Sequence, residues 1–113
     1  MKIYNKLVRD HIPDIIKKDG KLPTTKILSD EEYKVELQKK AQEELNEYFQ
    51  ALTNKESMEE LADLLEVMHA LCSVHGYTLE DLENIRQQKA VERGGFKEKI
   101  LLVEVTDPSY YTC

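Results

Sequence analysis

The chain has 113 residues with a formal net charge of −6; 34% of its residues are charged and 41% are apolar. This length allows one domain with a modest core. No apolar run approaches the roughly 18 residues of a transmembrane helix, so neither a membrane span nor a membrane partner is expected. The acidic balance also argues against a nucleic-acid polymer as partner, because such binding needs a basic surface.

The first residues and the cysteines indicate the compartment. MKIYNKLVRD carries charges where a signal peptide needs its apolar segment, so we expect a cytoplasmic protein. Cys72 and Cys113 match no zinc or redox spacing, and we expect both to be free thiols. We interpret residues 1–113 as a single domain with a loose tail over residues 106–113.

The N-terminal thirty residues contain several breaks. Pro13, Gly20 and Pro23 leave room for a short helix near PDIIKKD and for extended pieces around KLVRD and TTKIL. From Ser29 the sequence SDEE has the form of a capping box and predicts a long helix to about Leu52. Its apolar residues follow helical spacing: Leu37, Ala41, Leu45, Tyr48, Phe49 and Leu52.

Two more helices are predicted downstream. After the break TNKES, a second helix opens at Ser57 and stops at Gly76. Its apolar side contains Leu61, Leu64, Leu65, Met68, Leu71 and Cys72. A third helix runs from the TLED cap to Gly94, and FKEKILLVEV then alternates as one strand would.

These elements predict a mostly all-α fold built on an antiparallel helical hairpin plus a third helix. The strand near the C-terminus could form a small β-hairpin with an early extended segment. The second helix is apolar over more than half its circumference, so it needs neighbours on two sides. We therefore expect a homodimer or higher homo-oligomer that completes a four-helix-bundle core.

Carboxylates interrupt the apolar side of the hairpin. Glu60 and Asp63 fall within the apolar arc of the second helix, widened by Val67, and Glu44 borders the stripe of the first helix. Glu47 lies further round the first helix from this apolar stripe. The two members of each pair, 44 with 63 and 47 with 60, lie at equal distances along the sequence from the predicted turn. In an antiparallel hairpin, such residues lie at the same level along the two helices. Each helix also carries its two acids three positions apart, on one face. Four carboxylates should therefore meet between the helices.

Crowded carboxylates need a cation, because burial and mutual repulsion both disfavour ionisation. Oxygen ligands at this density suit Mg²⁺ or Mn²⁺, and Mg²⁺ held by few carboxylates keeps positions open for substrate phosphate oxygens. The sequence therefore predicts a divalent-metal site that acts on phosphate.

Other interpretations remain open at this point. The acids could form solvated helix faces in a non-catalytic interaction module, and Glu60 could cap its helix by pairing with Ser57. Glu66 and His69 have the Glu-x-x-His form of di-iron bundles, but only one copy is present and it lies on the polar side.

The acidic motif EELNE, followed after twelve residues by ELAD, resembles the signature of the all-α nucleoside triphosphate pyrophosphohydrolases. With YNKLVRDHIP, ELADLLEVMHAL and KAVERGGF, the chain is similar to the MazG-like and phosphoribosyl-ATP pyrophosphohydrolase-like members, over nearly its whole length to about Val105. The resemblance implies hydrolysis between the α and β phosphates of a nucleotide to give a monophosphate and pyrophosphate.

By the same resemblance, Glu44, Glu47, Glu60 and Asp63 would hold Mg²⁺ and act through a water that the metal activates. Substrate phosphates also need positive charge from the protein. Lys89 and Arg93, one turn apart, could supply it, although cations are also favoured at a helix C-terminus for electrostatic reasons. Lys6 and Arg9 form a second candidate pair. General hydrolysis of nucleoside triphosphates fits this subgroup best, with phosphoribosyl-ATP of histidine biosynthesis as an alternative substrate.

Overall fold

The computed structural model describes residues 1–107, and within this range all regular structure is helical. Its four helices are α1 (Ile12–Lys18), α2 (Asp30–Gln50), α3 (Asn54–Val74) and α4 (Leu79–Arg93). The all-α prediction is therefore confirmed. Two compact units are present, Met1–Leu82 and a second that begins at Glu83. None of the described helices combines the length and the apolar character needed to cross a membrane.

Local capping signals position the ends of most helices. At the start of α2, Ser29 accepts a hydrogen bond from the Glu32 N–H, and the Glu32 side chain accepts one from the Ser29 N–H. Gly76 ends α3 with φ +78°, a conformation that glycine adopts without a Cβ penalty. Thr78 and Asp81 exchange the same pair of capping bonds at the start of α4. These predicted boundaries are confirmed.

The start of α3 differs from the prediction. The helix begins at Asn54, three residues before Ser57, because the Thr53 hydroxyl accepts a hydrogen bond from the Glu56 N–H. The Ser57 hydroxyl donates instead to the Thr53 carbonyl. Glu60 is thus an interior helical residue, and the prediction that it could cap the helix with Ser57 is wrong.

The helices α2 and α3 pack against each other as the predicted hairpin, joined by residues 51–53. Leu37 of α2 and Val67 and Cys72 of α3 form the buried apolar core, and Cys72 is a free thiol as expected. The buried and half-buried residues of α3 that repeat at intervals of three and four are Glu60, Asp63, Leu64, Val67, Ala70, Leu71 and Val74. This spacing is typical of a helix–helix seam, and it includes two acids.

A second apolar side of α3 is exposed in the single chain. Leu61, Leu65 and Met68 keep between 39% and 49% of their surface accessible. On α2, Phe49 and Leu52 are also exposed. The apolar stripes predicted from the sequence are therefore only partly buried within one chain.

The predicted strand near the C-terminus is absent from the described residues. Residues 96–99 form a turn, and residues 100–107 have no regular structure although Ile100, Leu101, Leu102 and Val103 are apolar and exposed. Alternation alone does not make a strand, because a strand also needs a neighbouring strand for its backbone hydrogen bonds. The small β-hairpin is likewise not formed within residues 1–107. Cys113 and most of the predicted loose tail lie outside the described residues.

Candidate metal centre

Three carboxylates meet in the seam between α2 and α3. One oxygen from each of Glu44, Glu47 and Glu60 lies within 4.8 Å of the other two. Glu44 is only 6% exposed, Glu60 is half-buried and Glu47 is exposed. The helical spacing of Glu44 and Glu47 places them on one face of α2, while α3 brings Glu60 to them from the opposite side. The structure thus unites three of the four predicted acids.

Asp63 lies outside this three-carboxylate cluster and faces a different partner. The guanidinium of Arg9 donates a hydrogen bond of 2.7 Å to its Oδ1 atom, with both side chains about half exposed. Asp63 nevertheless contributes to the electrostatics of the cluster, because its charge helps to raise the pKa of Glu44. An ion pair between two predicted site residues, 54 positions apart, therefore borders the cluster.

Two oxygens of the cluster are buried without compensation. Among the described residues, no hydrogen-bond partner reaches Oε2 of Glu44 or Oε2 of Glu60. Leaving a buried carboxylate oxygen unpaired costs free energy that a structure normally avoids. Ionised carboxylates can only accept hydrogen bonds, so the acids of the cluster cannot satisfy one another while all three are ionised. A positively charged ligand between them would remove this cost.

The pKa values of Glu44 and Glu60 also show that ionisation of the cluster is unfavourable. Burial, followed by hydrogen bonding and repulsion from Glu47, raises the pKa of Glu44 from 4.5 to about 7, against the opposing effect of Lys40. The pKa of Glu60 is also raised, first because its protonated form can share a hydrogen bond with Glu47 and then because of burial and the charge of Asp63. Without a cation, the cluster therefore tends to retain protons near neutral pH.

The donor set fits a hard divalent cation. Mg²⁺ takes oxygen ligands at about 2.1 Å, so two ligands of one ion lie roughly 3 to 4 Å apart. Oxygens that already lie within 4.8 Å of one another need only small side-chain rotations to reach that spacing. The cluster contains no thiolate or imidazole that would favour zinc or copper. Glu66 of the Glu-x-x-His pattern is exposed and is not part of the cluster.

Lys40, which was not among the residues predicted from the sequence, contacts an acid of the cluster. Its ammonium lies 3.6 Å from Oε1 of Glu44 and 3.6 Å from Oε2 of Glu43. The spacing of Lys40 and Glu44 is the i,i+4 spacing of helical ion pairs, and this pattern could have identified the contact. Lys6 also reaches Glu43, at 3.2 Å.

The predicted cations thus separate into two groups. Lys6 and Arg9 contact acids of the α2–α3 hairpin through the ion pairs with Glu43 and Asp63. Lys89 and Arg93 are exposed residues of α4 that belong to the second compact unit, and their binding of phosphate stays a prediction.

A helical hairpin with three carboxylates in its seam is a candidate metal centre, and carboxylate-bound divalent cations can polarise phosphoryl oxygens. Residues 8–90 match the family model described as phosphoribosyl-ATP pyrophosphohydrolase, and the chain belongs to that family. Comparison with curated proteins and with solved structures gave no significant match. Members of this family are pyrophosphohydrolases, so the chain is a hydrolase that acts on phosphoric anhydrides. The resemblance seen in the sequence is confirmed.

Proposed function

We propose that the protein is a Mg²⁺-dependent nucleoside triphosphate pyrophosphohydrolase that cleaves between the α and β phosphates and releases a nucleoside monophosphate and pyrophosphate. Mn²⁺ is the alternative cofactor. One observation carries the proposal: Glu44, Glu47 and Glu60 meet in a single seam, and among residues 1–107 the buried Oε2 atoms of Glu44 and Glu60 have no hydrogen-bond partner. This arrangement is costly for a structural helix pair and useful for a cation site.

Each acid has a role in the proposed site. Glu44 and Glu60 would supply the buried oxygens, Glu47 the exposed one, and Asp63 the fourth ligand of the predicted set. A bound divalent cation would polarise phosphoryl oxygens and lower the pKa of a water that attacks phosphorus. The chain orients this chemistry by fixing Glu44 and Glu60 on two packed helices, which leaves them little rotational freedom.

The cations would bind the negative charge of the substrate. Arg9 neutralises Asp63 in the cation-free protein, and we propose that it transfers to a substrate phosphate once Asp63 has a metal partner. Lys6 lies on the same N-terminal segment. Lys89 and Arg93 lie one turn apart on α4, and we propose that they also bind substrate phosphates.

A second substrate is supported by the comparison with known families. The matched family is described as phosphoribosyl-ATP pyrophosphohydrolase, so phosphoribosyl-ATP of histidine biosynthesis is an equally supported candidate. Both substrates contain the same α,β anhydride bond, and the carboxylate cluster does not distinguish between them. The choice depends on the groups that bind the base and sugar.

We also propose that the protein is a homodimer that works in the cytoplasm, where its nucleotide substrates are found. The exposed apolar side of α3, formed by Leu61, Leu65 and Met68, supports association because the exposed apolar surface would be buried against a second copy. Two copies of the α2–α3 hairpin would give the four-helix bundle expected from the sequence.

A substrate panel tests the proposed activity. Ribonucleoside and deoxyribonucleoside triphosphates and phosphoribosyl-ATP are incubated with Mg²⁺ or Mn²⁺, and the products are separated by ion-exchange chromatography. We expect a monophosphate and pyrophosphate in equal amounts. Orthophosphate as the first product would refute the α,β cleavage.

Variants of neighbouring acids test the site itself. Glu60→Gln should reduce the rate by at least about 100-fold and abolish the rise in melting temperature that Mg²⁺ produces, because it removes a proposed ligand. Glu59→Gln is the matched control, since Glu59 is exposed on the same helix. If Mg²⁺ changes neither stability nor activity of the unaltered protein, the carboxylates of the seam do not hold a metal ion.

A further inference from the structure

A small cavity lies beside the three-carboxylate cluster. The N-terminal segment, including Asn5 and Lys6, and one side of α2 line an open cavity of about 160 Å³. The charged residues of α2 that line it are Glu36, Lys39, Lys40 and Glu43. This volume is sufficient for a compact polar group.

The charges in the cavity suit an anion. Three ammonium groups face two carboxylates, so the lining carries one positive charge more than it carries negative charges. Lys39 contacts Glu36 at 3.1 Å, and Lys6 and Lys40 contact Glu43 at 3.2 and 3.6 Å. Each ammonium has three donors. Lys6 and Lys39 are 57% and 69% exposed, so they can turn towards an anion at little cost.

Lys40 connects the cavity to the cluster. Its ammonium lines the cavity and also contacts Oε1 of Glu44 at 3.6 Å. With a rise of about 1.5 Å per residue, Lys40 lies about 6 Å before Glu44 along the axis of α2, and Glu36 lies about 12 Å before Glu44. A phosphate chain that starts at the carboxylates can therefore extend along α2 into the cavity.

The backbone of the N-terminal segment is unusual at this position. Asn5 has φ +47°, in the left-handed region that asparagine enters more readily than most residues. Such conformations are maintained where the surroundings hold them, often beside ligands. The ion pair between Lys6 and Glu43 connects this segment to α2.

We propose that this cavity receives the phosphates that leave as pyrophosphate, with Lys6, Lys39 and Lys40 as their cationic contacts. The proposal rests on the proposed function and adds two lysines of α2 to the substrate site. It also assigns the orientation of the substrate: the terminal phosphates point along α2 towards Glu36, and the nucleoside lies on the other side of the carboxylate cluster.

Binding of inorganic pyrophosphate by calorimetry, in the presence of Mg²⁺, tests this assignment. Lys39→Gln should weaken pyrophosphate binding by about three- to tenfold, because it removes one charged contact. Glu36→Gln should tighten it by about two- to threefold, because it frees Lys39 from its competing partner. If Lys39 and Glu36 had only structural roles, the two substitutions would not change the pyrophosphate affinity in opposite directions. Lys34→Gln, an exposed charge change on the same helix outside the cavity, is the matched control.

A nucleoside monophosphate, the other product, serves as the second ligand, and its affinity should be equal in the unaltered protein and in Lys39→Gln. Equal weakening of both ligands, or unchanged pyrophosphate binding in Lys39→Gln, would overturn the cavity assignment. A protein that hydrolyses no nucleotide refutes the proposed function instead. An active enzyme whose pyrophosphate affinity does not depend on Lys39 or Glu36 refutes only the cavity assignment.

Discussion

Replacing Glu44 with glutamine should stabilise the cation-free protein at alkaline pH while removing its response to Mg²⁺. Glutamine has nearly the shape of a protonated glutamate but cannot ionise. Glu44 is 6% exposed, and among the described residues its Oε2 atom has no hydrogen-bond partner. The ionised side chain is therefore the unfavourable form in the absence of a cation.

The magnitude follows from the pKa of this group. Burial, followed by the effect of Glu47, raises the pKa of Glu44 from 4.5 to about 7. Each tenfold change in proton affinity corresponds to about 1.4 kcal/mol, so ionised Glu44 lowers the free energy of unfolding by about 3 kcal/mol. The folded protein binds this proton more tightly than the unfolded chain. The penalty is therefore absent below pH 4.5, grows as the pH rises towards 7, and is complete above it.

Urea unfolding in EDTA at pH 4.5, 6 and 8 measures this effect. The gain in unfolding free energy of Glu44→Gln over the unaltered protein should be near zero at pH 4.5 and about 3 kcal/mol at pH 8. Glu59→Gln should show no such pH-dependent difference, because Glu59 is exposed. Saturating Mg²⁺ at pH 8 should stabilise the unaltered protein and leave Glu44→Gln unchanged.

Two results would contradict an unfavourable environment for ionised Glu44. If Glu44→Gln is no more stable than the unaltered protein at pH 8 in EDTA, the carboxylate is not held in an unfavourable environment. If the gain is the same at pH 4.5 and pH 8, it does not come from ionisation. Either result would remove the physical argument for a cation in the seam.

Three further results are expected. Arg9→Gln should lower the free energy of unfolding by less than about 1 kcal/mol, because the ion pair with Asp63 is half exposed, yet raise KM for nucleotide; an unchanged KM would exclude a phosphate contact. Leu65→Glu should convert the proposed dimer to a monomer in light scattering, whereas a stable monomer before substitution would exclude the dimer. Leu37→Ala should cost about 2 to 4 kcal/mol in urea unfolding, since Leu37 is 3% exposed; a loss below 1 kcal/mol would show that the core is formed elsewhere.

The helix boundaries show how far local sequence signals reach. The caps at Ser29 and Thr78 and the stop at Gly76 depend on residues within three or four positions, and the sequence predicts all of them correctly. The predicted start of α3 at Ser57 was wrong, because Thr53 is also followed three residues later by a glutamate and caps the helix first. The cap at Thr53 forms, which adds a turn to α3.

The placement of the acids was also predictable in large part. Helical periodicity assigned Glu60 to the apolar side of α3, and reflection about the turn brought it to the level of Glu47. Both features depend only on regular helices and a short connection. The contact between Asp63 and Arg9 was not predicted, because residues 54 positions apart share no local pattern.

The main helices, the caps at Ser29 and Thr78 and the presence of carboxylates on a face that should be apolar follow from the sequence, because each of these depends on neighbours along the chain. The tertiary fold was needed to show which buried oxygens have no hydrogen-bond partner among residues 1–107, which cation contacts which acid, and that residues 5–7 line a pocket on α2. It also decided that residues 100–105 remain without a strand. Burial, ion pairing between distant residues and strand pairing all depend on how separate segments meet in space, and local spacing does not encode that meeting.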